Sequence, residues 1–290
     1  MNYGYFPGCS LHATAKEFND STKLVCDKLD LELKEIDKWI CCGATPAHTT
    51  NQELGIALPF ANLQLAADQG FDTVVAPCAA CFNRLRSADF EVKHSGYTAE
   101  RVGYITGSRT DINVRILHII QLFRDEYGYS RLKEVFSKPL KGLKVANYYG
   151  CLLLRPSLVM KLDDPENPVI MDELTNLTGA ESVPWAFKTE CCGASLAIPE
   201  TEIVLDLSKK IIDSAKNAGA DVIAVACPLC HANLDMRQKQ IGKKFGADYS
   251  TPVLYITQLL GLALGIDPSK LGLDSHLVDP YPVLRAKNIL

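Results

Sequence analysis

Eleven cysteines are spread over 290 residues, and ten of them fall into one pattern written twice. The first half carries a single Cys9, an adjacent pair Cys41–Cys42, and a Cys-x-x-Cys at Cys78 and Cys81. The second half repeats this with Cys151, Cys191–Cys192, and Cys227 with Cys230. A lone Cys-x-x-Cys fits a redox pair or half of a zinc site equally well. The adjacent pairs, each followed by Gly–Ala, change that reading, because a tight turn brings two consecutive thiolates to one multinuclear centre. Gly43 and Gly193 are expected to supply the turn, where a side chain would collide with sulfide or another ligand. Five thiolates per half exceed the four that tetrahedral zinc or an ordinary cubane takes. A structural zinc with a spare thiol stays open on residue types alone, but the same excess would have to arise twice in register. The closely spaced run of bacterial ferredoxins is absent. The chemistry indicated is therefore iron–sulfur redox chemistry, one centre per half. Cys26 stands outside the pattern and reads as a small buried hydrophobe on an amphipathic helix.

Other side chains lie close to these thiols. His231 directly follows Cys230 and is a candidate ligand, sulfur hydrogen-bond donor or proton donor. Asn83 and Asn233 follow the closing cysteines and are read as equivalent positions with helix-start or sulfur-facing roles. Arg84, Arg155 and Lys188 are cations that would draw an anionic substrate, though a solvated role is the ordinary one. His12 and His48 read as surface or structural residues.

The elements that must position the cysteines recur in the same order. Tyr3–Phe6 and Lys144–Tyr149 read as short strands leading into Cys9 and Cys151. DTVVA (72–76) and DVIAVA (221–226) read as central parallel strands buried on both faces. Helical spacing precedes each, over 58–69 and 203–217, stopped by Gly70 and Gly219. Strand, helix, strand is the signature of a covered parallel sheet, and the cysteines follow the strands at the carboxyl ends, where such sheets build sites. The fold class is α/β: two repeated Rossmann-like units, pseudo-twofold related, with short parallel sheets covered by helices. The expected division is 1–140 and 141–290, joined near 138–142. The segment 88–112 is an insertion in the first half and a candidate partner surface. The run 253–266 is too short for a bilayer span and reads as a buried or interface helix. The tail 279–290 reads as an extended segment docked on a partner.

Composition narrows the class. The chain is 47% hydrophobic and 22% charged with a formal net charge of -4, an ordinary globular balance that gives no reason to expect nucleic acid or an anionic membrane as partner. No basic region leads into an apolar run at the start, so a cytoplasmic protein without membrane insertion is expected, its thiols kept reduced.

Read as Cys-x31–39-Cys-Cys-x34–35-Cys-x2-Cys twice, with Cys41–Cys42–Gly43 and Cys191–Cys192–Gly193 as literal CCG triplets, the chain resembles the cysteine-rich CCG domain pair along its whole length. Within that family it is similar to the B subunits of heterodisulfide reductase from methanogenic archaea. The resemblance implies two non-cubane [4Fe-4S] clusters with five cysteine ligands each. Cys9, Cys41, Cys42, Cys78 and Cys81 would hold the first; Cys151, Cys191, Cys192, Cys227 and Cys230 would hold the second. It implies reduction, in one-electron steps, of the anionic mixed disulfide of coenzyme M and coenzyme B, with His231 as candidate proton donor. Implied partners are the flavin-containing A-type and the ferredoxin-like iron–sulfur C-type subunits of such enzymes. These would be joined to a hydrogenase or formate dehydrogenase in a complex that couples the reaction to ferredoxin reduction. Other branches of the family serve 2-hydroxy acid or glycerol-3-phosphate dehydrogenases and thiol:fumarate reductase, and a non-catalytic electron relay is the alternative role.

Overall fold

The computed structural model describes residues 2–44 and 47–290. The described residues form eight strands in two all-parallel sheets, with the polar Glu32–Glu35 and Glu181–Ser182 as one edge strand of each. The first sheet contains β1 (Asn2–Tyr5), β2 (Glu32–Glu35), β3 (Thr73–Val75) and β4 (Arg115–Leu117), in the order β2-β1-β3-β4. The second contains β5 (Lys144–Tyr148), β6 (Glu181–Ser182), β7 (Val222–Val225) and β8 (Val253–Tyr255), in the matching order β6-β5-β7-β8. Registers match as well: Tyr5 pairs with Val75 and Tyr148 with Val225. The chain therefore leaves the two central strands of each sheet at the same edge, and the cysteines begin there.

Helices cover the sheets as the periodicity predicts. Thr201–Asn217 buries Val204, Leu205, Ser208, Ile211, Ile212 and Ala215, the stripe expected of one helix face. Its counterpart Gln52–Asp68 starts earlier than its apolar spacing indicates, because the Asn51 side chain accepts from Leu54 N at 3.0 Å and caps the first turn. The segment 88–112 continues a helix, Ala79–His94, into a second, Gly96–Thr106, with Ser95 capping the latter.

Two sequence expectations are corrected. The run 253–266 is not one helix: it opens as β8 and turns helical only over Ile256–Ala263. A β-branched start pairs with β7, and a helix-period pattern cannot separate the two in so short a stretch. The tail is not extended either. Tyr281–Ala286 is helical, Leu284 and Ile289 are buried, and Lys287 pairs with Asp221 at 2.8 Å. Its apolar end is covered by the chain itself.

The halves share one continuous apolar core. Phe18 stacks on Tyr255 with ring centroids 4.2 Å apart, and Ser21 Oγ lies 2.7 Å from Thr257 Oγ1. The linking segment is hydrogen-bonded to the second half, from Ser137 and Lys138 N to Ala263 O and from Leu140 N to Thr178 O.

Candidate metal centres

Each cysteine set is assembled at the carboxyl edge of its sheet by three loops. Cys9 lies in the short helix Gly8–His12 that follows β1, and Cys151 in the turn after β5. Cys78 and Cys227 stand at the N-cap positions of helices Ala79–His94 and Pro228–Asp235, with Cys81 and Cys230 in the first turn. The thiols thus sit where unpaired N–H groups and the positive end of the helix favour a thiolate. Cys227 is held below the ordinary thiol range by hydrogen bonds, first from the Cys230 thiol and then from the N–H groups of Cys230, Leu229 and Ala80. The last donor belongs to the other half of the molecule.

The CCG turns are alike in detail. Gly43 N donates to Cys41 Sγ at 3.4 Å, and Gly193 N to Cys191 Sγ at 3.3 Å. Both glycines are left-handed, with φ of 70° and 75°. A Cβ there would meet the chain's own helix: Ala47 at 2.9 Å in the first half, and Leu207 at 3.1 Å in the second. The glycines that make room beside the sulfurs are others. A Cβ on Gly8 would lie 2.5 Å from Cys81 Sγ, and one on Gly150 would lie 3.2 Å from Cys230 Sγ.

The sulfur positions suit shared metals. Cys42 and Cys81 Sγ are 3.4 Å apart, Cys192 and Cys230 Sγ 3.6 Å, and Cys151 and Cys191 Sγ 3.9 Å. Two thiolates on one tetrahedral metal, with metal–sulfur bonds of about 2.3 Å, stand ~3.8 Å apart. Hydrogen bonds from Cys41 and Cys81 pull Cys42 down to about 4, and the bond from Cys151 pulls Cys191 down to about 6. The neighbouring Cys41, Cys81, Cys151 and Cys230 thiols are pushed up in turn, so each set holds a thiolate beside thiols that donate to it, and an all-sulfur donor set of this kind selects a soft metal. In both halves the pattern of access is similar: Cys9, Cys41 and Cys191 are exposed and Cys151 half-buried, while the other six are buried. Each sulfur set is therefore open on one side.

The two sets adjoin. His118 Nε2 lies 2.6 Å from Pro77 O, the residue that precedes Cys78, and the Ala226 carbonyl that precedes Cys227 acts on the same ring. His118 was not singled out in the sequence; its place opposite Tyr255 in the repeated blocks around 114–123 and 251–260 was the available signal.

The remaining candidates divide. His231 does not face the sulfurs through Nε2, which lies 3.0 Å from Val253 O and 2.8 Å from His276 Nδ1. Burial drives it down to about 3, so it is a neutral core ring and a poor proton donor. Asn83 and Asn233 are not equivalent: Asn83 is two residues past Cys81 and Asn233 three past Cys230. Asn233 donates to Cys192 O at 3.1 Å and faces Cys192 Sγ at 3.6 Å, whereas Asn83 crosses to Leu152 O at 2.9 Å and Arg155 O at 2.8 Å. Lys188 is tied to Asp172 at 3.0 Å away from solvent, and Arg84 turns inward to Gly55 O. Arg155 is the exposed cation of the three, paired with Glu166 at 2.9 Å. His12 bonds Glu35 at 2.9 Å and packs on Trp39. The His48 side chain lies outside the described residues. Cys26 is buried, as expected. Among the described residues no helix is long and apolar enough to cross a membrane.

Comparison with known proteins agrees with the duplication. The family described as "Cysteine-rich domain" (CCG) matches twice, over residues 3–86 and 145–235. The B subunit of ferredoxin:CoB-CoM heterodisulfide reductase from Methanosarcina mazei is 34% identical over 283 residues, which cover 94% of this chain and 92% of the relative. The 8-methylmenaquinol:fumarate reductase membrane anchor subunit of Wolinella succinogenes is 30% identical, over 96% of this chain and 97% of its own. Among solved structures, a hypothetical protein from Helicobacter pylori superposes with a TM-score of 0.74 at 14% identity. That match covers 96% of this chain and 52% of the other, and it supports the fold alone.

Proposed function

The chain belongs to the cysteine-rich CCG domain family, and from that premise we propose that it is the B subunit of a heterodisulfide reductase, reducing the mixed disulfide of coenzyme M and coenzyme B to two thiols. Cys9, Cys41, Cys42, Cys78 and Cys81 hold one non-cubane [4Fe-4S] centre; Cys151, Cys191, Cys192, Cys227 and Cys230 hold the other. When bound, such centres supply electrons singly and iron with affinity for soft sulfur, and two of them match the two electrons that an S–S bond takes up on cleavage. The observation that carries this reading is the matching pair of sulfur sets, with Cys42 and Cys81 Sγ 3.4 Å apart and Cys192 and Cys230 Sγ 3.6 Å apart, each at the carboxyl edge of its sheet.

The chain's own contribution is positional. The six buried cysteines close the inner side of the two sets, and the exposed ones leave an outer side for a disulfide. Arg155 is the cation at that face, its charge acting on Cys151, and it attracts an anionic substrate. His231 delivers no proton, so the two product thiols are protonated from solvent at the open side. Residues 1–140 and 141–290 act as the two units, each carrying one centre. Electrons arrive through partners, the flavin-containing A-type and ferredoxin-like iron–sulfur C-type subunits, with a hydrogenase or formate dehydrogenase behind them in the cytoplasm.

One observation favours a second reading, a relay without disulfide chemistry: the fumarate reductase relative matches along as much of the chain as the heterodisulfide reductase relative does. Anaerobically purified, cluster-loaded protein, given an artificial one-electron donor and the heterodisulfide, separates the two. Release of both thiols supports catalysis here. Reduction of the centres without thiol release supports the relay, and zinc in place of iron overturns both.

A further inference from the structure

Aligned on the closing cysteines, Cys81–Phe82–Asn83–Arg84–Leu85 stands opposite Cys230–His231–Ala232–Asn233–Leu234. Arg84 is therefore the repeat counterpart of Asn233. Both lie about one helical turn past the closing cysteine; Asn233 turns toward Cys192, the second cysteine of its CCG pair, and Arg84 turns inward to Gly55 O. Their surroundings differ. Asn233 places its amide N–H groups on Cys192, and its Oδ1 accepts from Arg237 Nε at 3.1 Å, while Arg237 Nη2 is spent on Ala197 O. A neutral amide thus separates the second sulfur set from the guanidinium of Arg237. In the first half the guanidinium has no such intermediary. Arg84 Nη2 donates to Gly55 O at 2.7 Å, and its charge acts on Cys42. Its Nε is buried and has no hydrogen-bond partner among the described residues. A buried N–H without an acceptor is costly, and a sulfur-rich centre between the cysteines provides one.

We propose that Arg84 tunes the first centre, raising its reduction potential. This rests on the reading that five cysteines in each half hold an iron–sulfur centre. Taking up an electron adds negative charge to a centre; a fixed cation offsets that charge and a neutral amide does not. Hydrogen bonds to cluster sulfur act in the same direction.

The test is an anaerobic redox titration of the cluster-loaded full chain, followed by visible and paramagnetic resonance spectroscopy, with iron measured on the same samples. Arg84→Asn copies the second half, Arg84→Gln keeps a donor without charge, and Arg84→Lys keeps the charge. Asn and Gln should lower the reduced-to-oxidised ratio of one centre about tenfold at fixed potential, equivalent to about 59 mV for one electron. The other centre should not move, and Lys should recover most of the change. No shift, equal shifts in both centres, a Lys variant as low as Gln, or loss of iron from all three variants overturns the proposal. Unaltered protein with only one titrating centre would instead overturn the two-centre reading beneath it.

Discussion

Replacing Gly8 by Ala should damage the first centre far more than the same change damages other left-handed glycines. Gly8 has φ 70°, Gly150 φ 65° and Gly70 φ 79°. Each Gly→Ala variant incurs the left-handed penalty, about 1–2 kcal/mol, and each gains a similar offset from a less flexible unfolded chain. What separates them is the space for the added methyl. At Gly70 nothing lies within 4 Å, so backbone strain is the whole cost. At Gly150 the Cβ would be 3.2 Å from Cys230 Sγ, a contact that a few tenths of an ångström relieve. At Gly8 it would be 2.5 Å from Cys81 Sγ, a buried sulfur that can move only by leaving its set. Overpacking of that kind adds about 1–3 kcal/mol, for a total of roughly 1–5 kcal/mol once the unfolded-chain offset is taken off. At about 2–4 °C per kcal/mol for a chain approaching this size, Gly8→Ala should melt on the order of 10 °C below the parent and bind less iron. Anaerobic thermal unfolding by circular dichroism, with iron per chain measured on each variant, reads both. If Gly8→Ala keeps full iron and melts with Gly70→Ala, Cys81 is not fixed where the structure places it, and the five-sulfur set is misassigned.

Cys26→Ala should leave iron unchanged at a stability cost of roughly 1 kcal/mol, whereas Ala at any of the other ten cysteines should strip iron from its own half; metal analysis of the series distinguishes them. Deleting residues 286–290 uncovers the pocket that buries Ile289, so a loss of about 1.5–3 kcal/mol is expected; unchanged melting together with failure to co-purify with a partner subunit would restore the docking role for the tail. His118 is driven from the ordinary 6.5 down to about 4 by burial, against the carbonyls of Pro77 and Ala226 that would raise it. Its unfolded form therefore binds a proton that the folded form refuses, and stability is lost as pH falls from about 6.5 toward 4, by an amount of order 3 kcal/mol. His118→Gln should flatten the parent's pH dependence in that window by about one proton; equally steep profiles for variant and parent would show that His118 is not the buried neutral ring.

The duplication, the ten cysteines and the placing of β3 and β7 were legible in the sequence because they are local. A thiol's chemistry belongs to the residue, and a run such as DVIAVA (221–226) carries its own burial pattern. The helix at Thr201–Asn217 was readable for the same reason, a stripe of apolar residues ending at Gly219. What tertiary structure alone decided depends on contacts between distant segments. Ala80 and Cys227 belong to different halves, and no spacing rule says that one donates to the other. Gly43 was expected to make room beside the sulfurs, but only packing shows that Gly43 clears Ala47 and that Gly8 is the one that clears Cys81. Asn83 and Asn233 share a residue type, and an offset of one residue, about 100° around a helix, sends one across the seam between the halves and the other toward Cys192. The tail was misread because an Ile–Leu end needs a cover, and sequence does not say whether the cover is a partner or, as at Ile289, the chain's own core. Residue type and period fix which groups are present; the relative placement of the halves fixes which of them meet.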